Sequence, residues 1–192
     1  LRLQNVSISS IDQLNKNVFM KKPAVTKVSY ALLPLIKDNY KLLKVGSAVS
    51  SKSGPKLVSR YEKNYSLKNM SHLKIILPGQ KTTAELIFKK LFPQAKNILY
   101  KPFYDLIPSL EREEGDMAVL IHEEKERNRS EHFYPIMDLA QAWFEKTKTP
   151  LPLGCVVARR DLGPLLIEEI EKNIYESLTF SQRNPEIALK YM

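Results

Sequence analysis

One histidine of this 192-residue chain stands where a general base could work. His122 directly follows the apolar run MAVLI (117–121) and precedes Glu123 and Glu124. A histidine at the end of a buried strand is held rigidly, and neighbouring carboxylates can orient its ring or raise its basicity. The sequence therefore predicts His122 as a base that removes a substrate proton. A structural histidine that bonds a loop carbonyl is the alternative.

A second group of residues could hold an anion. The Pro-Gly turn in LPGQ (77–80) leads into Thr82-Thr83-Ala84-Glu85. This pattern fits a capping box, in which the Thr82 hydroxyl accepts a hydrogen bond from the Glu85 N–H and the Glu85 side chain reaches back. Because the cap is a side chain, the Thr83 hydroxyl and the N–H groups of the first turn can face a carboxylate or phosphate. A capping box that holds no ligand is the alternative.

Ser29 is a third candidate. It ends the short, β-branched segment 24–28 and precedes the apolar stretch 30–36, which predicts a helix start. A hydroxyl beside free N–H groups at such a point suits an oxygen-rich ligand. A plain helix N-cap is the alternative.

The elements that would position these residues follow a regular pattern. Apolar runs alternate with helical segments from residue 73 onward; we predict strands at 73–77, 97–100 and 117–121 and helices at 82–91 and 104–112. This alternation implies βαβ units and a parallel sheet. Ligands bind such sheets at the carboxyl ends of the strands, where both the 79–84 turn and His122 fall.

The chain around this unit predicts two lobes. The segment 60–69 is polar, and Thr149-Pro150-Leu151-Pro152 cannot be helical, so we expect hinge crossings near 60–72 and 149–155. Lobe 1 would then be discontinuous, with residues 1–69 and 154–192, and lobe 2 would hold 70–153. The predicted fold class is α/β, with a mostly parallel sheet flanked by helices in each lobe. A cleft between the lobes is the expected site.

Composition limits the class of protein. Hydrophobic residues make up 43% of the chain, as in a globular protein, and no run of eighteen apolar residues is present, so we expect no membrane span. The net charge of +9 is scattered among acidic residues without aromatic-basic interleaving, so we expect no nucleic acid partner. The single Cys155 rules out an internal disulfide, and a reducing, cytoplasmic location is the expectation.

Other chemistries find no support in the sequence. The single Cys155 lies in the apolar run GCVVA, where a packed core thiol is expected, and His72 and His132 lie in polar surroundings without a role. No cluster of metal-ligand spacing, P-loop or G-x-S-x-G motif occurs. The residues therefore predict no metal site.

Five stretches of the chain together resemble the 1,4-dihydroxy-6-naphthoate synthase family, which belongs to the futalosine route of menaquinone biosynthesis. They are VTKVSY (25–30), LPGQKTTAELI (77–87), LIHEE (120–124), DLAQAWFEKTKTPLPLGCVVARRDL (138–162) and NPEIALKYM (184–192). The resemblance runs in the same order over nearly the whole chain. Relative to the family pattern, the chain begins after an N-terminal strand and turn of the type S-P-C-P-N-D-T-F and lacks the C-terminal part.

The resemblance implies a two-lobed, periplasmic-binding-protein-like fold of type II and a lyase reaction without metal or organic cofactor. Cyclic de-hypoxanthinyl futalosine, a small-molecule carboxylate substrate, would be cleaved to 1,4-dihydroxy-6-naphthoate and a three-carbon fragment. The family's histidine base matches His122. The implied substrate-binding residues are Lys27, Val28, Ser29, Thr83, Ala84 and Ile121.

Other readings of the same architecture stay open. A non-catalytic solute-binding protein shares the fold and closes on an anion without a base, and a ligand-sensing domain of a transcription regulator does likewise. The related chorismate dehydratase shares the fold, but we expect it to lack the I-H-E histidine. The oligomeric state is also open, with a homodimer as one option.

Overall fold

The structure is a computed structural model that describes residues 6–61, 67–121 and 133–190, except for the side chains of Lys68 and Asn69. The α-helices are α1 (Ile11–Phe19), α2 (Leu33–Ile36), α3 (Thr83–Leu91), α4 (Leu106–Glu111), α5 (Leu139–Thr147), α6 (Pro164–Arg183) and α7 (Pro185–Leu189). The strands are β1 (Val25–Ser29), β2 (Tyr40–Leu42), β3 (Ala48–Ser50), β4 (Lys56–Ser59), β5 (Lys74–Leu77), β6 (Asn97–Tyr100), β7 (Met117–Leu120), β8 (Tyr134–Asp138) and β9 (Leu151–Arg159). Short 3₁₀ turns lie at Tyr30–Leu32, Leu67–His72, Phe103–Asp105 and Arg160–Leu162.

The first sheet is built around β9. Strands β1, β2 and β3 each pair with β9, and all three pairings are antiparallel. Ser29, at the end of β1, lies opposite Gly154, near the start of β9. The prediction of a mostly parallel sheet is therefore wrong for this sheet. The physical reason is that β9 returns from the second sheet and enters at the edge where β1 ends, so it runs against its neighbours.

The second sheet has the strand order β6-β5-β7-β4-β8. Strand β5 pairs in parallel with β6 and with β7, which confirms the predicted βαβ units. Strand β4 is antiparallel to both β7 and β8, so the sheet is mixed rather than mostly parallel. The expected α/β class stands, while strand direction differs from the expectation because β4 and β8 join the sheet from outside the βαβ units.

Strand β4 lies in the second sheet, between β7 and β8, although residues 1–69 are predicted to belong to lobe 1. Leu57 and Val58 are both buried. Leu57 belongs to the core on one face of the second sheet, and Val58 belongs to the core on the other face. A strand that is apolar on both faces lies in the interior of a sheet. The chain thus passes to the second sheet between β3 and β4, ahead of the predicted crossing at 60–72. The division into lobes stays a prediction.

Helices cover both faces of the second sheet. Ile75 and Leu77 contribute to a core with residues of α3 and α5, whereas Ile76, between them, contributes to a core with residues of α4. Successive side chains of a strand point to opposite faces, so this division follows from the pleat. In the first sheet, α1 packs on one side of β9 through Val18, and α6 packs through Ile167 and Ile170. None of the helices in the described part of the chain is long and apolar enough to cross a membrane.

Candidate functional site

A cavity of about 390 Å³ is lined by residues of the first sheet and by segments that adjoin the second sheet, and we call it the Ser29–Thr83 cavity. Of the predicted substrate-binding residues, Lys27, Ser29, Thr83, Ala84 and Ile121 line it. These residues come from the end of β1, the start of α3 and the position after β7. The structure thus brings together residues that are up to 94 positions apart in the chain.

Val28 does not share this wall. Its side chain is fully buried in the first-sheet core with Val18, Leu32 and Cys155. Because side chains alternate along a strand, Lys27 and Ser29 can face the cavity only if Val28 faces away. A side-chain contact between Val28 and a ligand is therefore wrong. The Val28 backbone lies close to Gly154, where an added Cβ would approach the Val28 carbonyl oxygen to 3.3 Å.

The start of α3 is capped as the sequence predicts. The Thr82 hydroxyl accepts a hydrogen bond from the Glu85 N–H at 3.1 Å and donates one to the Gly79 carbonyl at 3.1 Å. The Glu85 carboxylate reaches back one residue further than in a standard capping box, to the N–H of Lys81 at 2.5 Å. Gly79 and Lys81 both have positive φ, and this tight turn holds Thr82 in place.

The Glu85 carboxylate is held by further donors on the side away from its cap. Lys89 donates to it at 2.7 Å, and the Tyr100 hydroxyl also donates to it. Burial alone would raise the pKa of Glu85, but the hydrogen bonds from Lys89, Tyr100 and the Lys81 amide outweigh burial and lower the pKa. Glu85 is therefore ionised at neutral pH, and its charge is bound within the protein.

The first turn of α3 offers backbone donors to the cavity. The Thr83 hydroxyl donates to the Leu153 carbonyl at 2.8 Å, so it ties α3 to β9 and cannot also donate to a ligand. This differs from the prediction that the hydroxyl faces a ligand as a free group. Among the described residues, no acceptor is recorded for the N–H groups of Thr83 and Ala84. These amides, at the positive end of the helix dipole, suit an anion.

Ser29 is 3% exposed and occupies the N-cap position of the 3₁₀ turn Tyr30–Leu32, as the alternative expected. Its side chain, however, makes no capping hydrogen bond to that turn. Instead, its N–H donates to Asn15 Oδ1 at 3.0 Å, and its hydroxyl accepts from Asn15 Nδ2 at 3.0 Å. Sequence reasoning missed Asn15. The available signal was a polar residue on the apolar stripe of α1, between Ile11 and Val18.

The predicted base lies outside the described residues. Ile121 is the last described residue of this segment, and it lines the cavity. His122, Glu123 and Glu124 lie outside the described residues. Cys155 is a fully buried core thiol, as predicted, and burial raises its pKa to about 11. Within the described ranges, no three His, Cys, Asp or Glu side chains are grouped so as to hold a metal ion.

Comparison with known proteins gives two curated relatives, both named 1,4-dihydroxy-6-naphthoate synthase. The protein from Thermus thermophilus is 30% identical over 96% of this chain and 66% of its own length. The protein from Streptomyces coelicolor is 26% identical over 98% of this chain and 67% of its own length. The chain thus spans about two thirds of the length of these relatives.

Solved structures agree with this relationship. A protein from Archaeoglobus fulgidus is 32% identical, with a TM-score of 0.86 over 96% of this chain and 68% of that one. A periplasmic binding protein of an arginine transport system from Legionella pneumophila is 13% identical, with a TM-score of 0.59 over 96% of this chain and 80% of that one. The second likeness shows the fold alone and confirms the periplasmic-binding-protein-like architecture.

The family model described as menaquinone biosynthesis matches residues 4–192, nearly the whole chain. Sequence, fold and family match agree, and this protein belongs to the menaquinone biosynthesis family.

Proposed function

We propose that the protein carries out the reaction for which its two curated relatives are named and produces 1,4-dihydroxy-6-naphthoate. Its substrate would be cyclic de-hypoxanthinyl futalosine, which loses a three-carbon fragment when a carbon–carbon bond breaks. The observation that carries this proposal is the Ser29–Thr83 cavity, which Ser29 of the first sheet lines together with Thr83 and Ala84, whose N–H groups have no recorded acceptor among the described residues. A cavity of this kind suits a small carboxylate ligand.

In this proposal, the N–H groups of Thr83 and Ala84 hold the substrate carboxylate. Hydrogen bonds from backbone N–H groups to a carboxylate are about twice as strong as neutral ones, and the helix dipole adds to them. The Ser29 hydroxyl binds another oxygen of the ligand on the facing wall. Lys27, whose side chain is exposed at the edge of the cavity, adds positive charge there.

His122 would act as the base. It follows Ile121 directly in the sequence, and Ile121 lines the cavity. A neutral imidazole that removes a substrate proton would initiate the carbon–carbon cleavage. General base catalysis of this kind contributes roughly 10²–10⁴-fold in rate.

The full-length protein with His122→Gln tests this role, with His72→Gln as a matched control. His72 is exposed at the end of the 3₁₀ turn before β5 and does not line the cavity. We expect His122→Gln to lower kcat by roughly 10²–10⁴-fold, measured as 1,4-dihydroxy-6-naphthoate formation, and His72→Gln to leave it unchanged.

Undiminished turnover in His122→Gln would remove His122 from the mechanism. A wild-type protein that binds the substrate without converting it would contradict the proposed reaction and would favour a non-catalytic binding protein.

A further inference from the structure

We infer that Asn15 is a positioning residue that makes the Ser29 hydroxyl a hydrogen-bond donor directed into the Ser29–Thr83 cavity. The inference rests on the proposed function for the identity of the ligand. It adds a residue on α1 to a site whose predicted residues come from the two sheets and α3. It also restricts the chemistry of the ligand group that Ser29 can bind.

The orientation of the Asn15 amide is fixed by its partner. The Ser29 backbone N–H can only donate, so the group facing it at 3.0 Å must be the Asn15 oxygen. The Asn15 nitrogen then faces the Ser29 hydroxyl at 3.0 Å and donates to it. Asn15 is itself only 3% exposed, so water cannot readily take over either role.

This arrangement sets the direction of the Ser29 hydrogen. A serine hydroxyl has one hydrogen to donate, and it cannot point at a nitrogen that is already donating to the oxygen. Among the described residues, no acceptor is recorded for that hydrogen, although Ser29 is 3% exposed and lines the cavity. An unpaired buried donor is unfavourable, so the site favours a ligand oxygen at this point.

The same residue touches the opposite wall. Asn15 Nδ2 also lies 3.5 Å from the carbonyl oxygen of Lys81, in the turn that leads into α3. Asn15 therefore lies between Ser29 and the segment that carries the Thr83 and Ala84 amides. The Ser29 hydroxyl and the Thr83 and Ala84 amides are all donors, so the site favours an acceptor-rich group such as a carboxylate and disfavours an ammonium group, which has no lone pair to accept with.

The substitution Asn15→Asp tests this polarity in the full-length protein. Aspartate has nearly the same shape and can still accept from the Ser29 N–H, but its second oxygen accepts the Ser29 hydroxyl hydrogen and turns it away from the cavity. The new negative charge would also weaken carboxylate binding, whatever Ser29 does. A double-mutant cycle with Ser29→Ala separates the two effects, because the charge acts in both backgrounds and the hydroxyl in only one.

The measured quantity is the Kd of 1,4-dihydroxy-6-naphthoate, with benzoate as a second carboxylate probe. We expect Asn15→Asp to weaken binding by about tenfold more in the Ser29 background than in the Ser29→Ala background. An equal weakening in both backgrounds would overturn the inference. If Asn15→Asp does not fold, as judged by circular dichroism, Asn15→Ala, which adds no charge, enters the same cycle and must show coupling of the same sign.

Turnover of cyclic de-hypoxanthinyl futalosine by the wild type is measured alongside. If the wild type binds the naphthoate without turnover, the proposed function fails and the coupling still decides the role of Asn15. If turnover is normal and the coupling is absent, only the Asn15 inference fails. A wild type that binds neither carboxylate overturns both.

Discussion

Among the helices that the structure describes, two begin with a side-chain cap, and of these two only one has a carboxylate as the cap. At α5, the Asp138 carboxylate accepts from the N–H groups of Ala140 at 2.9 Å and Gln141 at 3.1 Å. Its second oxygen accepts from Gly54 N–H at 3.2 Å. At α3, the cap is the neutral hydroxyl of Thr82. The start of α5 is thus closed by an internal carboxylate, whereas within the described part of the chain the first amides of α3 have no recorded acceptor.

Glu85 of α3 does not bind the first amides of its own helix as Asp138 does for α5. Glu85 lies in the first turn, but its carboxylate binds Lys81 N–H, Lys89 and Tyr100 rather than the amides of Thr83 and Ala84. Since every helix N-terminus carries a partial positive charge, the choice of cap decides whether that charge stabilises the fold or binds a ligand. The comparison teaches that α5 uses this charge for structure and α3 leaves it available.

Among changes at the two helix starts, the largest effect on ligand affinity is expected from removing the Thr83 N–H of α3. Thr83 is the first residue of α3, where proline fits, and Thr82 before it has the extended ψ of 158° that proline requires of its neighbour. Thr83→Pro should weaken naphthoate binding by roughly 10–100-fold, since it deletes a hydrogen bond to a charged group. Titration calorimetry of the full-length protein measures the change.

Thr83→Val is the matched control, because it keeps the N–H and loses only the hydroxyl that bonds Leu153. We expect Thr83→Val to lower the free energy of unfolding. We also expect it to weaken naphthoate binding less than Thr83→Pro does. Equal affinities of the two variants for naphthoate would show that the Thr83 amide does not contact the ligand. The start of α3 would then not be an anion site.

Removing the cap of α5 should change the stability of the protein and leave its affinity for the ligand nearly unchanged. Asp138→Ala leaves the amides of Ala140, Gln141 and Gly54 without their acceptor and should lower the free energy of unfolding by about 2 kcal/mol. Asp138→Asn should cost less, because asparagine is nearly as good a cap. Urea denaturation measures both changes. Naphthoate binding by the folded variants should stay within about twofold of the wild type; a large loss would place the start of α5 in the site.

These features differ in how far the sequence foretells them. The cap of α3 was predictable because Thr82 and Glu85 are three residues apart, and capping depends on local spacing. The βαβ units were predictable for the same reason, since their apolar runs alternate over short distances. The pairing of β4 with β7 joins residues about sixty positions apart. Local periodicity carries no information on such a pairing.

The candidate site shows the same limit. Ser29 was identified from its place at a strand end, but its partner Asn15 lies on another element, and only the fold brings the two together. The Thr83 hydroxyl was expected to face a ligand. In the structure it donates a hydrogen bond to the carbonyl of Leu153, 70 residues away in the chain. Sequence spacing can show that a polar group is available at a helix start, whereas the tertiary partners decide whether it remains available.

The smallest effect is expected from Glu85, and it sharpens the distinction between the two helices. Glu85→Gln should lower the free energy of unfolding by about 1 kcal/mol at pH 7, because it weakens charge-assisted hydrogen bonds from Lys89, Tyr100 and the Lys81 amide. Binding of naphthoate should change by less than about twofold, since the carboxylate does not face the open amides. Glu168→Gln, at an exposed position of α6, controls for loss of charge.

The pH dependence of the free energy of unfolding distinguishes a contribution from the charge of Glu85 from a contribution of its packing. Burial opposes ionisation of Glu85, but its hydrogen bonds lower the folded-state pKa below the ordinary 4.5. The unfolded chain therefore binds the proton more readily, and the stabilisation from Glu85 is fully present above pH 4.5 and is lost as the pH falls through the lower folded-state value. Urea denaturation of wild type and Glu85→Gln at several pH values from 7 downward should show the two stabilities converging in acid. A difference that stays constant with pH would mean that Glu85 contributes by its shape and not by its charge.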